Sequence, residues 1–305
     1  MKKILLLGGN GYIGSKFYNV CNKKYAITSI DLCLFGKDLG FSNKINFVNL
    51  DKDYINDFHV VICLAGHSSV PMCNWSPDRS WINNVDYFRD LCSKVSDSQI
   101  LIYASSASVY GIGQNISVET TPIAFNSVND YDLQKITVDL IANRYINKGK
   151  KILGLRFGTV NGASPNTRSE LMLNSMTMSA IQSGKIYVKN GHIRRAILGI
   201  NDLVRCFTFC IDKNLPSGQY NLSSFNSTVN QLSQTVSQLT NADIEFLPND
   251  ELVYDFAMTN EKFCSYADFK FTDTATNLVE EIIANNTKLT FDTRSNDRNF
   301  SEYIK

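Results

Sequence analysis

Histidine is scarce in this chain. His59, His67 and His192 are the three in 305 residues, and they lie too far apart for a histidine-rich metal site; no metal is expected. An excess of charge of one sign is also missing. Thirty Lys and Arg against 29 Asp and Glu leave a net charge of +1 and no basic run. That excludes the electrostatic footprint of a nucleic-acid binder or of an anionic-membrane binder. Long apolar runs are absent too. None approaches the ~20 residues of a membrane helix. The opening MKKILLL stops at Gly8, too short for the apolar core of a signal peptide. The eight cysteines are scattered without a CxxC, so reduced thiols and a cytoplasmic location are the expectation.

What is present is an alternation. Aliphatic runs fall at 3–7 (KILLL), 25–30 (YAITSI), 45–50 (INFVNL), 60–65 (VVICLA), 100–104 (ILIYA) and 152–157 (ILGLRF). Helix-length segments separate most of them, among them SPDRSWINNVDYFRDLCSKV, in which Ser76 can cap and Pro77 takes the first helical position. Near-continuous hydrophobic strands alternating with helices imply a parallel sheet covered on both faces. The expected class is α/β, a doubly wound sheet with a smaller C-terminal lobe. Beyond about residue 165 the pattern loosens. Helices are expected near 170–183, 202–212, 228–240, 259–267 and 274–285, and a strand at 185–188.

Glycine is rationed, with 17 in the chain, yet four fall within GGNGYIG at residues 8–14. They stand between a buried strand and a helix starting near Gly11, the context of a dinucleotide-binding loop. Without Cβ atoms the backbone can turn sharply and approach a pyrophosphate, while the helix N-terminus points amide N–H groups at the charge. The plainer alternative is a flexible turn. Asp31 closes the second strand (ITSIDL), where a carboxylate can bind ribose hydroxyls and repel the 2′-phosphate of NADP; this favours NAD. Asp51, at the end of FVNLD, either reaches the adenine edge or is a strand-end turn residue. The small Ala65-Gly66 pair after the fourth strand lets backbone lie against a cofactor.

Chemistry is carried by YDLQK. Tyr131 and Lys135 stand at i and i+4 and share a helix face. An ammonium beside a phenol favours the phenolate, which makes tyrosine a usable acid or base for alcohol–ketone interconversion. YxxxK occurs three times, as Tyr12/Lys16, Tyr131/Lys135 and Tyr266/Lys270. Only Tyr131 follows the fifth strand, where the C-terminal edge of the sheet forms a crevice. Ser105 and Ser106 end that strand in YASSASVYG; they position a reacting oxygen or form a serine-rich turn.

Together GGNGYIG, Asp31, LAG (64–66), NNV (83–85), SSASVYG (105–111), YDLQK (131–135), LRFGTVNG (155–162) and GHIRRAILGINDL (191–203) resemble the extended short-chain dehydrogenase/reductase family, the NAD-dependent nucleotide-sugar epimerases and dehydratases. The resemblance covers nearly the whole chain. It implies NAD held by Gly8, Gly11, Tyr12, Ile13, Gly14, Asp31, Asp51, Leu64, Ala65, Gly66, Asn84, Tyr131 and Lys135. It implies Tyr131 as acid/base, Lys135 as its activating cation and Ser106 as the hydroxyl partner. Asn174 and Arg195, with Arg168 as the lesser candidate, are expected on the diphosphate of a nucleotide-sugar substrate. The resemblance also implies a homodimer, a dinucleotide domain over 1–165 rejoined near 190–225, and a substrate lobe over 166–305.

Three departures refine this. The 4,6-dehydratases carry Asp-Glu after their catalytic threonine, and here those positions are Ala107 and Ser108, which argues against elimination and against decarboxylation. Thr159 stands where many sugar epimerases have Asn. His67, in the loop after the fourth strand, either touches substrate or, in the plainer reading, is an ordinary loop residue. The expected reaction is epimerisation at C4 of a nucleotide-diphosphate sugar through a transient keto sugar. The alternatives are a 4-keto nucleotide-sugar reductase and, from another class, a non-catalytic NAD-binding regulatory protein.

Overall fold

The computed structural model of the protein describes residues 1–111, 115–123, 129–249, 254–266 and 268–292. Seven parallel strands form the main sheet. Their spatial order is Gly218–Leu222, Lys151–Phe157, Ile100–Ser106, Val60–Cys63, Lys3–Leu7, Ala26–Ile30 and Ser42–Asn43. The runs KILLL and VVIC form strands that are apolar on both faces because both faces are covered. Successive side chains point to opposite sides of a strand. Ile4, Leu6, Val60 and Ile62 therefore enter one core, under the Tyr12–Cys21 and Ile200–Asp212 helices, while Leu5, Leu7, Val61 and Cys63 enter another, under the Tyr87–Lys94 and Asp130–Ile146 helices. Phe17 meets Phe207 edge-on at 5.6 Å in the first core; Phe88 lies 4.8 Å from Tyr103 in the second. Ile4 to Leu7 are wholly buried, which contributes about 1.5–3 kcal/mol for each such side chain relative to exposure.

The strand order reverses between Lys3–Leu7 and Val60–Cys63, and the crevice at the carboxyl ends of the strands opens there. A buried network fixes the Asp130–Ile146 helix over this edge. Arg156 donates to Asp139 at 2.9 Å, Tyr103 donates to the other Asp139 oxygen at 2.8 Å, and Arg156 also donates to the Tyr110 hydroxyl at 2.8 Å. A separate apolar cluster, built on Leu173, Ile186, Val188, Ile197, Leu232, Val236 and Leu278, joins the Met172–Ser183, Val229–Thr240 and Ala275–Asn285 helices to the Arg194–Gly199 strand.

Two expectations are corrected. The third strand is not 45–50 but the two-residue Ser42–Asn43. Phe47–Asn49 is instead a single tight turn, started by the Asn46 side chain accepting the Val48 N–H, and it drops Phe47 and Leu50 into the core without a pleat. The segment from Pro77 is not one regular helix. Ser76 holds the cap position but its side chain makes no capping hydrogen bond, and a π-turn at Ile82–Asp86 separates Pro77–Trp81 from Tyr87–Lys94.

Candidate active site

The glycine loop begins the site. Gly8 has φ +88°, and a Cβ there would stand 2.6 Å from the Ala65 nitrogen; a Cβ on Gly14 would stand 2.2 Å from the Gly8 carbonyl oxygen. The loop thus closes against the fourth strand only as glycine. Gly11 is the N-cap of the Tyr12–Cys21 helix, no side chain caps it, and no acidic residue sits in the first turn. Those first amides, at the positive end of the helix dipole, face the cleft and suit an anion. Gly8, Gly11, Tyr12, Ile13 and Gly14 all line a cleft of about 460 Å³. The Tyr12 hydroxyl itself turns inward, donates to the Gly162 carbonyl at 2.8 Å, and burial pushes its phenol well above the ordinary range.

Asp31 lines the same cleft at the end of the second strand. Its two oxygens accept the backbone N–H groups of Asn10 at 2.9 Å and Cys33 at 2.8 Å, so the carboxylate is held in place. Asp51 matches the second of its two readings. It does not line the cleft; it caps the Lys52–Asn56 helix by accepting the Tyr54 N–H at 2.7 Å. Asn46 and Phe47 line the wall in its stead, because the turn at Phe47–Asn49 carries the chain away from the cleft before Asp51.

The opposite wall is the loop after the fourth strand. Leu64, Ala65, Gly66 and His67 line it, with Asn83 and Asn84 behind. His67 is a buried residue of this loop. It is 4% exposed, its Nδ1 lies 3.0 Å from the Asn83 amide nitrogen, and burial lowers its imidazole to about 4, so it is neutral. The π-turn places two successive asparagines, 83 and 84, on this one histidine.

Ser106, Tyr131 and Lys135 come together on the same cleft. The Lys135 ammonium donates to the Ala104 carbonyl at 2.8 Å and lies 5.6 Å from the Tyr131 ring centroid. The Ser106 hydroxyl accepts the Ser108 N–H at 3.1 Å. Ser105 and Ser108, also lining the cleft, have buried hydroxyls without a hydrogen-bond partner among the described residues.

Of the residues expected on the substrate, two face open space and one does not. Arg168 lines the main cleft, pairs with Glu170 at 2.6 Å and donates to the Ser68 carbonyl at 3.2 Å. Arg195 lines a second cleft with Glu170, Tyr187 and Lys189, and its guanidinium lies 5.5 Å from the Phe256 ring centroid. The two clefts share Thr159 and Leu171. Asn174 lies deeper. It is wholly buried, accepts the Gly162 N–H at 2.9 Å and donates to the Arg168 carbonyl at 2.9 Å, which is a bracing role beneath the site.

Such a cradle, open to backbone but closed to any Cβ and facing a tyrosine with a cation over its ring, fits a dinucleotide-dependent enzyme on a doubly wound sheet. The family model of the NAD dependent epimerase/dehydratase family matches residues 4–223, and the chain belongs to that family. NAD is accordingly its cofactor, and the glycine cradle, the uncapped helix end and Asp31 fit it. Protein CapI of Staphylococcus aureus is 28% identical over 239 residues, which is 69% of this chain and 70% of its own. The UDP-glucose 4-epimerase of Lactobacillus helveticus is 24% identical over 278 residues, 80% of this chain and 83% of its own. The structure of TunA, an NAD-dependent NDP-hexosamine 5,6-dehydratase of tunicamycin biosynthesis, matches 93% of this chain and 97% of its own with a TM-score of 0.82 at 19% identity, a likeness of fold. Among the described residues, no helix is long and apolar enough to cross a membrane.

Proposed function

We propose that the protein epimerises a nucleotide-diphosphate sugar at C4. The observation that carries this reading is the junction of two clefts at Thr159 and Leu171, one holding Ser106, Tyr131 and Lys135, the other Arg195 and Lys189. A diphosphate seated at the cations of the second cleft would present its sugar to the tyrosine of the first. Residues 1–165, with the chain's return through Ile200–Asp212 and Gly218–Leu222, are assigned to the cofactor, and most of the remainder to the substrate.

Bound NAD supplies a hydride acceptor that returns the hydride within the same cycle. The Tyr131 oxygen takes the proton of the C4 hydroxyl as the keto sugar forms and returns it to that same oxygen once the sugar has turned its other face to the hydride donor. Lys135 holds its ammonium beside the Tyr131 ring, and Ser106 aligns the reacting oxygen. Gly8, Gly11 and Gly14 admit the pyrophosphate to the helix end, and Asp31 discriminates against a 2′-phosphate by like charge. Ala107 and Ser108 bring no ionisable group to the segment beside Ser106, which favours epimerisation over loss of water. Tyr131→Phe tests the reading: NAD content is expected to match the wild type while turnover falls at least ~100-fold. Undiminished turnover in that variant would overturn it.

A further inference from the structure

Asp132 follows the tyrosine of the site and is 1% exposed. Its Oδ2 accepts the Tyr254 hydroxyl and, at 2.8 Å, the Asn129 amide, while its Oδ1 has no hydrogen-bond partner among the described residues. No cation among the described residues forms an ion pair with it. The helix dipole favours a carboxylate in this first turn, but a buried carboxylate without a cation is still costly unless its hydrogen bonds hold it. Asn129 completes a triangle. Its side-chain oxygen caps the helix by accepting the Asp132 N–H at 3.0 Å, and its amide also donates to the Tyr254 oxygen. The first turn of the Asp130–Ile146 helix, with Tyr131 inside it, is thereby tied to a residue more than a hundred positions away.

The two residues after Tyr254 reach the other side of the site. Asp255 accepts the Arg194 backbone N–H at 2.8 Å and the Arg194 Nε at 3.1 Å. Phe256 lines the main cleft and lies beneath the Arg195 guanidinium. Its backbone N–H donates to the Arg194 carbonyl at 3.2 Å. Three consecutive residues therefore join Arg195 of the second cleft, and Arg194 before it, to the helix turn that carries Tyr131.

We propose that Tyr254 is a positioning residue and that residues 254–256 form a strap that transmits occupancy of the Arg195 cleft to the Tyr131 turn. This rests on the reading of the Arg195 cleft as a diphosphate site. A phosphate drawn to Arg195 pulls on Phe256 and Arg194, and the strap carries the pull through Tyr254 to Asp132. Small shifts suffice, because a misplacement of about 1 Å costs on the order of 100-fold in rate.

The test uses the protein as purified, with UDP, dTDP and GDP as separate probes and backbone hydrogen exchange as readout. In the wild type at least one of these nucleoside diphosphates is expected to slow exchange over residues 129–135. In Tyr254→Phe the same probe still binds, yet that protection is lost. With substrate, Tyr254→Phe is expected to lower kcat at least ~10-fold and to leave KM within ~2-fold. Asp132→Asn keeps an acceptor for the Tyr254 hydroxyl and is expected to retain most of the wild-type rate. If no nucleoside diphosphate protects 129–135 in the wild type, or if Tyr254→Phe merely lowers the melting temperature with protection and kcat intact, the proposal is overturned. Protection that depends on Tyr254 in a protein that converts no nucleotide sugar would uphold the strap and refute the epimerase reading.

Discussion

Asn84 holds the peptide of His67 from both ends: its Oδ1 accepts the His67 N–H at 2.8 Å, and its Nδ2 donates to the His67 carbonyl at 3.0 Å. The same Nδ2 donates to Gln134 Oε1 at 2.7 Å, and Gln134 Nε2 donates to the Ser80 hydroxyl at 2.7 Å. A Cβ on Gly66 would lie 2.5 Å from the Asn84 oxygen, so the loop and the amide fit only together. The wall of the cofactor cleft is thus braced from the helix that carries Tyr131 and Lys135.

Asn84→Ala removes that brace and leaves the buried His67 N–H and carbonyl without Asn84 and Gln134 Oε1 with only the weak Cys73 thiol donor, at about 1–3 kcal/mol for each group left unsatisfied. The variant is expected to melt at a lower temperature and to retain less NAD through gel filtration. Calorimetry and the nucleotide released on denaturation check both. Full NAD retention would mean that the loop keeps its shape without Asn84.

Arg195→Ala addresses the second cleft. An arginine that binds a diphosphate alike in ground and transition states affects KM and leaves kcat nearly unchanged. Steady-state kinetics on an accepted nucleotide sugar are expected to show KM raised at least ~10-fold. Unaltered kinetics would return Arg195 to the role of a surface cation stacked on Phe256.

His67 gives a prediction in pH. Burial lowers its imidazole to about 4 from the ordinary 6.5. The unfolded chain gains a proton near pH 6.5, whereas the folded protein gains it only near 4. The stability that comes from a neutral His67 is therefore complete above about pH 6.5, and it is lost as pH falls towards 4, by at most ~3 kcal/mol. In His67→Gln the fall in melting temperature between pH 7 and pH 4.5 is expected to be smaller than in the wild type. Parallel curves for the two proteins would show that His67 is not held neutral by the fold.

Much of this was legible because burial on both faces leaves its mark in the chain. Ile4 to Leu7 and Val60 to Cys63 read as strands for the same reason that they pack into two cores. Tyr131 could be chosen from three YxxxK motifs by its place after the fifth strand, and the inward-turned, hydrogen-bonded hydroxyl of Tyr12 accords with that choice. The third strand was misread because Phe47 and Leu50 are apolar for the core's sake and not for a pleat. Asp51 carries the signal of its turn reading, an aspartate three residues before the tyrosine whose amide it caps. The polarity of Asn174 was visible but its burial was not. The His67, Asn83, Asn84 and Gln134 set gathers from separate segments, and so does the Tyr254 strap; no periodicity within one segment announces a contact between several.

The central claim is that NAD is regenerated in each cycle at C4 of a nucleotide sugar. Freshly purified protein, gel-filtered and given no cofactor, should be incubated with a panel of nucleotide sugars while proton NMR follows the coupling at C4. The account predicts conversion to the C4 epimer up to equilibrium, and release of bound NAD when the same sample is denatured. Cofactor-free protein that turns over only with stoichiometric NADH or NADPH, or a product that has lost water, would contradict it.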